Sequence, residues 1–188
     1  MSTLTIVHAG VSSPSSSFHL GQRIAERAAA IAKNQGTTLE IRELAIKAIG
    51  HDLVDCLLDG GKKSPALADA IDSLISSDAI IAVTPVYQSS YSGLFKMFFD
   101  CIPPRALEGI PVLIAANGGS PRHALVLEYA VRPLFAYLRT AIVPTGILLT
   151  RSDSRPENQQ HVSARITRAA NELVSLMAID RRCADQQA

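Results

Sequence analysis

Residues 79–92, AIIAVTPVYQSSYS, constrain the fold more than any other stretch of the chain. Ile80, Ile81, Ala82 and Val83 are apolar without polar alternation and mostly β-branched. Such a run is a strand buried on both faces, the mark of a parallel sheet covered by helices on each side. Thr84-Pro85 is expected to stop it, because proline has no N–H to give to a ladder. A small, polar, aromatic loop follows, Val86-Tyr87-Gln88-Ser89-Ser90-Tyr91, and leads into a helix near Ser92. Open α/β sheets bind ligands beyond the carboxyl ends of their strands. This loop is therefore a candidate site by position alone.

The rest of the chain supplies the sheet. Residues 4–8 read as a first strand, ending at Ala9-Gly10, and residues 11–17, VSSPSSS, as a polar loop. Phe18, Ile24, Ala28, Ile31 and Ala32 recur at helical spacing up to a cap at Gly36. Residues 39–43 alternate as a second strand, so the chain opens β–loop–α–β. Residues 44–64 are harder to assign, with a possible helical turn at 52–58. Ser64-Pro65 caps a helix over 65–77, and the central strand comes next. Residues 92–102 form a helix ended by Pro103-Pro104. A fourth strand (111–116), a helix (123–138) interrupted at Arg132-Pro133, a fifth strand (142–149) and a last helix (156–177) complete the pattern. The expectation is one α/β domain over 1–180 and a polar tail over 181–188. Its core is a doubly wound, five-stranded parallel sheet, and the short length favours the flavodoxin-like strand order 2-1-3-4-5.

Composition removes several function classes. Eighteen basic and 17 acidic residues give a net charge of +1, with no excess to attract nucleic acid or an anionic membrane. No apolar run approaches the roughly 18 residues of a membrane span. The first residues lack the basic start of a secretory leader, so a cytoplasmic location is expected. Cys56, Cys101 and Cys183 suggest neither a disulfide framework nor a metal site. The five histidines form no metal-ligand pair. No Ser/His/Asp or Cys/His constellation emerges, and no catalytic side chain is assigned. His8 lies in a strand and reads as a buried, satisfied residue. Cys101 reads as a small apolar one.

Three loops carry the chemistry. The first holds five serines in six residues and opens a helix, whose free N–H groups favour an anion. It has neither GxGxxG nor GxxxxGK[ST], which disfavours nucleotide hydrolysis. A phosphate monoester held by hydroxyls and amides, with Ser12, Ser15, Ser16 and Ser17 as ligands, fits better, although the same serines would serve as an ordinary helix cap. The loop after strand three offers Pro85, Val86, Tyr87 and Gln88 to a flat, polar-edged ligand such as a flavin. Asn117, Gly118, Gly119 and Ser120 follow strand four, where glycine lets a backbone pass close to a ring. An ordinary strand-to-helix turn would look the same. Tyr87 and Tyr91 could stack on a ligand or simply pack. Phe95, Phe98 and Phe99 fit a core or a subunit contact, the latter pointing to an oligomer. Lys96 and Arg105 could meet an anionic nicotinamide or be surface charges.

Thr84-Pro85-Val86-Tyr87, Tyr91-Ser92-Gly93-Leu94-Phe95-Lys96, Pro104-Arg105-Ala106-Leu107-Glu108-Gly109 and Asn117-Gly118-Gly119-Ser120 occur in this order. Together they resemble the NAD(P)H-dependent FMN reductase family of the flavodoxin-like fold. The resemblance is closest to the FMN reductases of two-component alkanesulfonate and methanesulfonate monooxygenase systems, and it covers roughly residues 4–149. It implies that NADPH or NADH reduces FMN, with the hydride passing to flavin N5 and the chemistry residing in the cofactor. It also implies that reduced flavin leaves for a partner monooxygenase. By resemblance, Ser15, Ser16 and Ser17 hold the FMN phosphate. Pro85, Val86, Tyr87 and Gln88 surround the ring, and Gly118, Gly119 and Ser120 lie along its polar edge. One departure stands out: relatives often carry Gly-Ser-Pro-Arg after strand one, where this chain has Gly10-Val11-Ser12-Ser13. A phosphate arginine is missing, which implies a weaker hold on FMN. Tyr129 matches an inserted tyrosine that makes a π-bulge at a tetramer interface, a mark of flavin transfer; it could equally be an ordinary helix residue. A quinone or azo reductase with tight FMN, and a non-enzymatic FMN-binding electron carrier, are the alternatives. The near-neutral charge argues against the carrier.

Overall fold

Alternation of apolar side chains within each strand builds two cores on one sheet. The computed structural model describes residues 1–185. Strands β1 (Ser2–His8), β2 (Leu39–Ala45), β3 (Ala79–Tyr87) and β5 (Pro111–Asn117) are parallel. A two-residue strand, β4 (Ser90–Tyr91), folds back on the end of β3. The last sheet position holds β6 (Ala141–Ile142) and β7 (Ile147–Leu149), both parallel to β5. The order β2-β1-β3-β5-β6 is the expected 2-1-3-4-5 arrangement of main strands.

Period-two alternation sends Ile81, Val83, Leu113 and Ala115 to one face, under α1 (Ser16–Asn34) and α6 (Gln159–Asp185). Ile80, Ala82, Val112 and Ile114 face the other side. There they meet α2 (Gly50–Leu58), α3 (Pro65–Ile75), α4 (Gly93–Asp100) and α5 (Arg132–Tyr137). Phe95, Phe98 and Phe99 of α4 are buried in this second core. Phe99 meets Phe95 at 4.8 Å and Phe135 at 4.9 Å between ring centroids. The helical aromatics are thus intramolecular packing and offer nothing to a partner subunit. Residues 44–64 resolve into a 3₁₀ turn, Ile46–Ile49, and α2, whose Leu53 and Cys56 reach the same core. Cys101 is buried as expected. Burial, aided by a hydrogen bond with the Cys56 thiol, pushes its thiol pKa up to about 12.

Four expectations are corrected. Pro85 does not end β3, which continues to Tyr87. Val83 accepts the Ala9 N–H, so its peptide groups face β1. Pro85, two residues on, faces the same side after β1 has ended at His8, where no partner needs its missing N–H. The fifth strand is also broken. Three steps along β5, from Val112 to Ala115, match five along its neighbour, from Ile142 to Ile147. The bulged groups are satisfied from both faces. Arg132 donates to the carbonyls of Val143 and Pro144, and Arg165 donates to that of Gly146. Glu172 accepts from the Thr145 N–H and hydroxyl at 2.7 Å each. The helix expected over 123–138 is interrupted not at Arg132-Pro133 but at Leu127–Val131, which is π-helical around Tyr129, where the resemblance implied a π-bulge. The Arg132 N–H bonds the Leu127 carbonyl, and Pro133 has no N–H for the carbonyl of Tyr129. The last helix runs to Asp185, through much of the segment read as a tail. Residues 186–188 lie outside the described residues.

Helix α1 approaches the sheet closely at Gly21, where a Cβ would stand 2.4 Å from Ile6 Cγ2. Gly21→Val should therefore destabilise the protein by about 1–3 kcal/mol through overpacking, read as a lower urea midpoint at unchanged slope.

Candidate functional site

Parallel register brings the carboxyl ends of β1, β3, β5 and β7 to one edge. There a cavity of about 450 Å³ opens, within the size range of small-molecule sites. Of the residues singled out from sequence, Ser16, Pro85, Val86, Tyr87, Asn117, Gly118 and Gly119 line it. Leu149, Thr150, Arg151 and Ser154 line it too, and the sequence reading did not find them. The signal was available: they follow the fifth strand, whose end must share this edge with the others.

The first loop is shaped by Gly10. A Cβ there would fall 2.0 Å from the Ser15 hydroxyl oxygen, so only glycine lets the loop close over itself. Ser15 caps α1 by accepting the Phe18 N–H at 3.2 Å. The amides of Ser16 and Ser17, in the first helical turn, have no intrahelical acceptor. Ser17 is 1% exposed, yet its hydroxyl has no partner. Ser12 is exposed on the same loop. Unpaired amides and a buried, unpartnered hydroxyl at a helix start suit a phosphate.

The second loop is a two-residue hairpin. Tyr87 pairs with Ser90 across Gln88 and Ser89, which have φ of 47° and 65°. Left-handed backbone at two successive non-glycine residues is costly and is characteristic of functional loops. Thr84, fully buried, ties the hairpin shut by accepting the Ser92 N–H at 3.0 Å. Ser92 in turn caps α4 by accepting from Phe95. Tyr87 is left 49% exposed at the cavity, whereas Tyr91 packs on Phe95 at 6.1 Å and faces a different groove. Gln88 is at the hairpin tip and not on the cavity wall.

The third loop places Asn117 at the end of β5 with its Oδ1 buried and unpartnered. Gly118 and Gly119 follow as cavity wall, and Ser120 turns away to cap a 3₁₀ turn by accepting the Arg122 N–H. The orphaned oxygen and the Cβ-free backbone suit a flat ring with N–H groups on its edge. The donors of the serine loop and the Asn117 acceptor fit the two ends of FMN.

The remaining candidates separate clearly. Nε2 of His8 is 3.0 Å from Glu43, and Nδ1 is buried without a partner, so the residue is only half satisfied. Lys96 pairs with Asp100 at 2.6 Å and Arg105 with Glu108 at 2.6 Å, as surface ion pairs. Tyr129 is 78% exposed on the π-turn. Beside it Arg132 makes a two-pronged bond to Glu128, which holds that carboxyl below its usual range. No group of histidines, cysteines and carboxylates suited to a metal ion exists among the described residues. No helix there is long and apolar enough to cross a membrane.

Comparison with known proteins agrees with this geometry. The profile of the NADPH-dependent FMN reductase family matches residues 2–154. An FMN reductase (NADPH) of Pseudomonas aeruginosa is 42% identical over 92 residues, 48% of this chain and 50% of the relative. The chain thus spans about half the length of that relative. The NADH-dependent FMN reductase SfnF of Pseudomonas putida is 32% identical over 147 residues, 77% of this chain and 75% of the relative. Among solved structures, an oxidoreductase from Corynebacterium diphtheriae superposes with a TM-score of 0.89 at 39% identity, covering 95% of this chain and 97% of the other. The apo form of the NADH:FMN oxidoreductase EmoB shares the fold at a TM-score of 0.75 and 24% identity, covering 92% and 90%.

Thr84→Val removes the only hydroxyl that accepts the buried Ser92 N–H. It should cost about 1–3 kcal/mol in chemical denaturation, while Thr84→Ser retains most of the stability.

Proposed function

The chain belongs to the NADPH-dependent FMN reductase family, and on that footing we propose that it reduces FMN with NADPH or NADH at the carboxyl-edge cavity. The observation that carries the proposal is the meeting of the three loops around a cavity of suitable size, with Ser17 Oγ in the first loop and Asn117 Oδ1 in the third buried and unpartnered. Bound FMN supplies the hydride acceptor for reduced nicotinamide. The protein's part is positional. The amides of Ser16 and Ser17, with the hydroxyls of Ser12, Ser15, Ser16 and Ser17, hold the phosphate end. Asn117, Gly118 and Gly119 serve the polar edge of the ring, and Pro85, Val86 and Tyr87 frame its plane. The strained hairpin is fixed by Thr84 before ligand arrives, which lowers the ordering cost of binding. No side chain is required to move a proton.

The finer reading is that reduced FMN is released to a partner monooxygenase acting on organosulfur compounds, in the cytoplasm where NAD(P)H is available. It is supported by the serine loop, which holds phosphate without an arginine of its own, and by the π-turn at Tyr129. Exposed Leu125, Tyr129 and Tyr137 on that segment support a homo-oligomer, dimer or tetramer, formed through it.

Steady-state oxidation of NADPH and NADH, with FMN, FAD and riboflavin supplied free to flavin-stripped protein, tests this reading. Saturable turnover that prefers FMN is expected. Activity only toward quinones or azo dyes, after FMN has been bound, would move the protein to the tight-flavin reductases. No activity in either format would leave a flavin-binding fold alone.

A further inference from the structure

Nothing in the serine loop, residues 10–17, carries positive charge. The structure brings one to it from elsewhere. Lys47 lies in the 3₁₀ turn after β2, beside the end of β1, because Ala45 pairs with His8. Its ammonium donates to the Val11 carbonyl at 2.7 Å. Val11 accepts one of three N–H donors on that nitrogen. No carboxylate pairs with Lys47 among the described residues, although Glu43, four positions earlier, is committed to His8. A charged side chain held against a loop carbonyl, without a counter-ion, is placed to receive an anion there. The independent observation is Ser17, whose buried hydroxyl in the same loop has no partner.

We propose that Lys47, distinct from Arg151 on the cavity wall, is a cation that reads the phosphate of the flavin mononucleotide at residues 10–17. The inference rests on the FMN reading above and extends it to what separates FMN from riboflavin. Lys47 acts as a binding residue and takes no part in hydride transfer. An ammonium is a single, strongly hydrated charge, without the two-pronged grip of a guanidinium. Its contribution therefore gives selectivity for the phosphate and leaves the flavin exchangeable, as a released product requires.

The test is calorimetric titration of flavin-free protein with FMN and with riboflavin, in the wild type, Lys47→Gln and Lys47→Arg. Glutamine can still donate to Val11 but has no charge, whereas arginine keeps the charge. Lys47→Gln should weaken FMN roughly tenfold, the scale of one charged hydrogen bond, with riboflavin unchanged. Lys47→Arg should stay within about twofold of the wild type for both ligands. Added salt should weaken FMN more in the wild type than in Lys47→Gln. Equal weakening of FMN and riboflavin would assign Lys47 to holding the loop and overturn the proposal, as would unchanged FMN affinity. A wild type that binds FMN no tighter than riboflavin would instead refute the phosphate reading itself.

Discussion

Strand β3 is hydrogen-bonded to β1 on one side and β5 on the other, and its apolar residues face a helical layer on each face. That double burial fixes the register of the sheet. A slip of one residue would send Ile81 and Val83 to the face occupied by Ile80 and Ala82 and misplace both cores at once. With register fixed, the ends of β1, β3, β5 and β7 are held at one edge, and so are the loops that follow them. The serine loop, the hairpin and the Asn117 turn owe their mutual placement to this packing, since few direct bonds join them. Function in this chain is a by-product of where buried strands must stop.

The parts legible in the sequence were those governed by local chemistry. The apolar run 80–83, the Ser64-Pro65 cap and the glycine at Gly36 announce their elements directly, and the structure has them. The strand order was not written in the pattern; the short length and the first loop only favoured the arrangement the structure has. Pro85 misled because its effect depends on which side of the strand its nitrogen faces, a property set by where β1 ends. The break at residues 143–146 was hidden for a similar reason. Pro144 and Gly146 hint at it, but Arg132, Arg165 and Glu172, which make it tolerable, come from distant helices. Site residues followed the same division. Loops rich in serine and glycine stood out, while Thr150 and Arg151 carry no motif and are reached only by asking where the fifth strand ends.

The π-turn shows how one local constraint spreads. Pro133 removes a helical donor, the helix widens at Leu127–Val131, and Arg132 is left to clamp Glu128 on its own segment and the Val143 and Pro144 carbonyls of the broken strand. Two irregular segments, joined through Arg132, thereby stabilise each other. Tyr129 on the π-turn and Tyr137 at the end of α5 stand out from the surface at 78% and 85% exposure.

The central claim, that flavin occupies the carboxyl edge, is tested most directly by amide hydrogen exchange with and without FMN. Protection gained at residues 10–17, 84–92, 117–120 and 149–154, with residues 125–137 unchanged, is the predicted result. Protection centred on 125–137, in the groove between α4 and α5, with the strand-end loops unchanged, would contradict it.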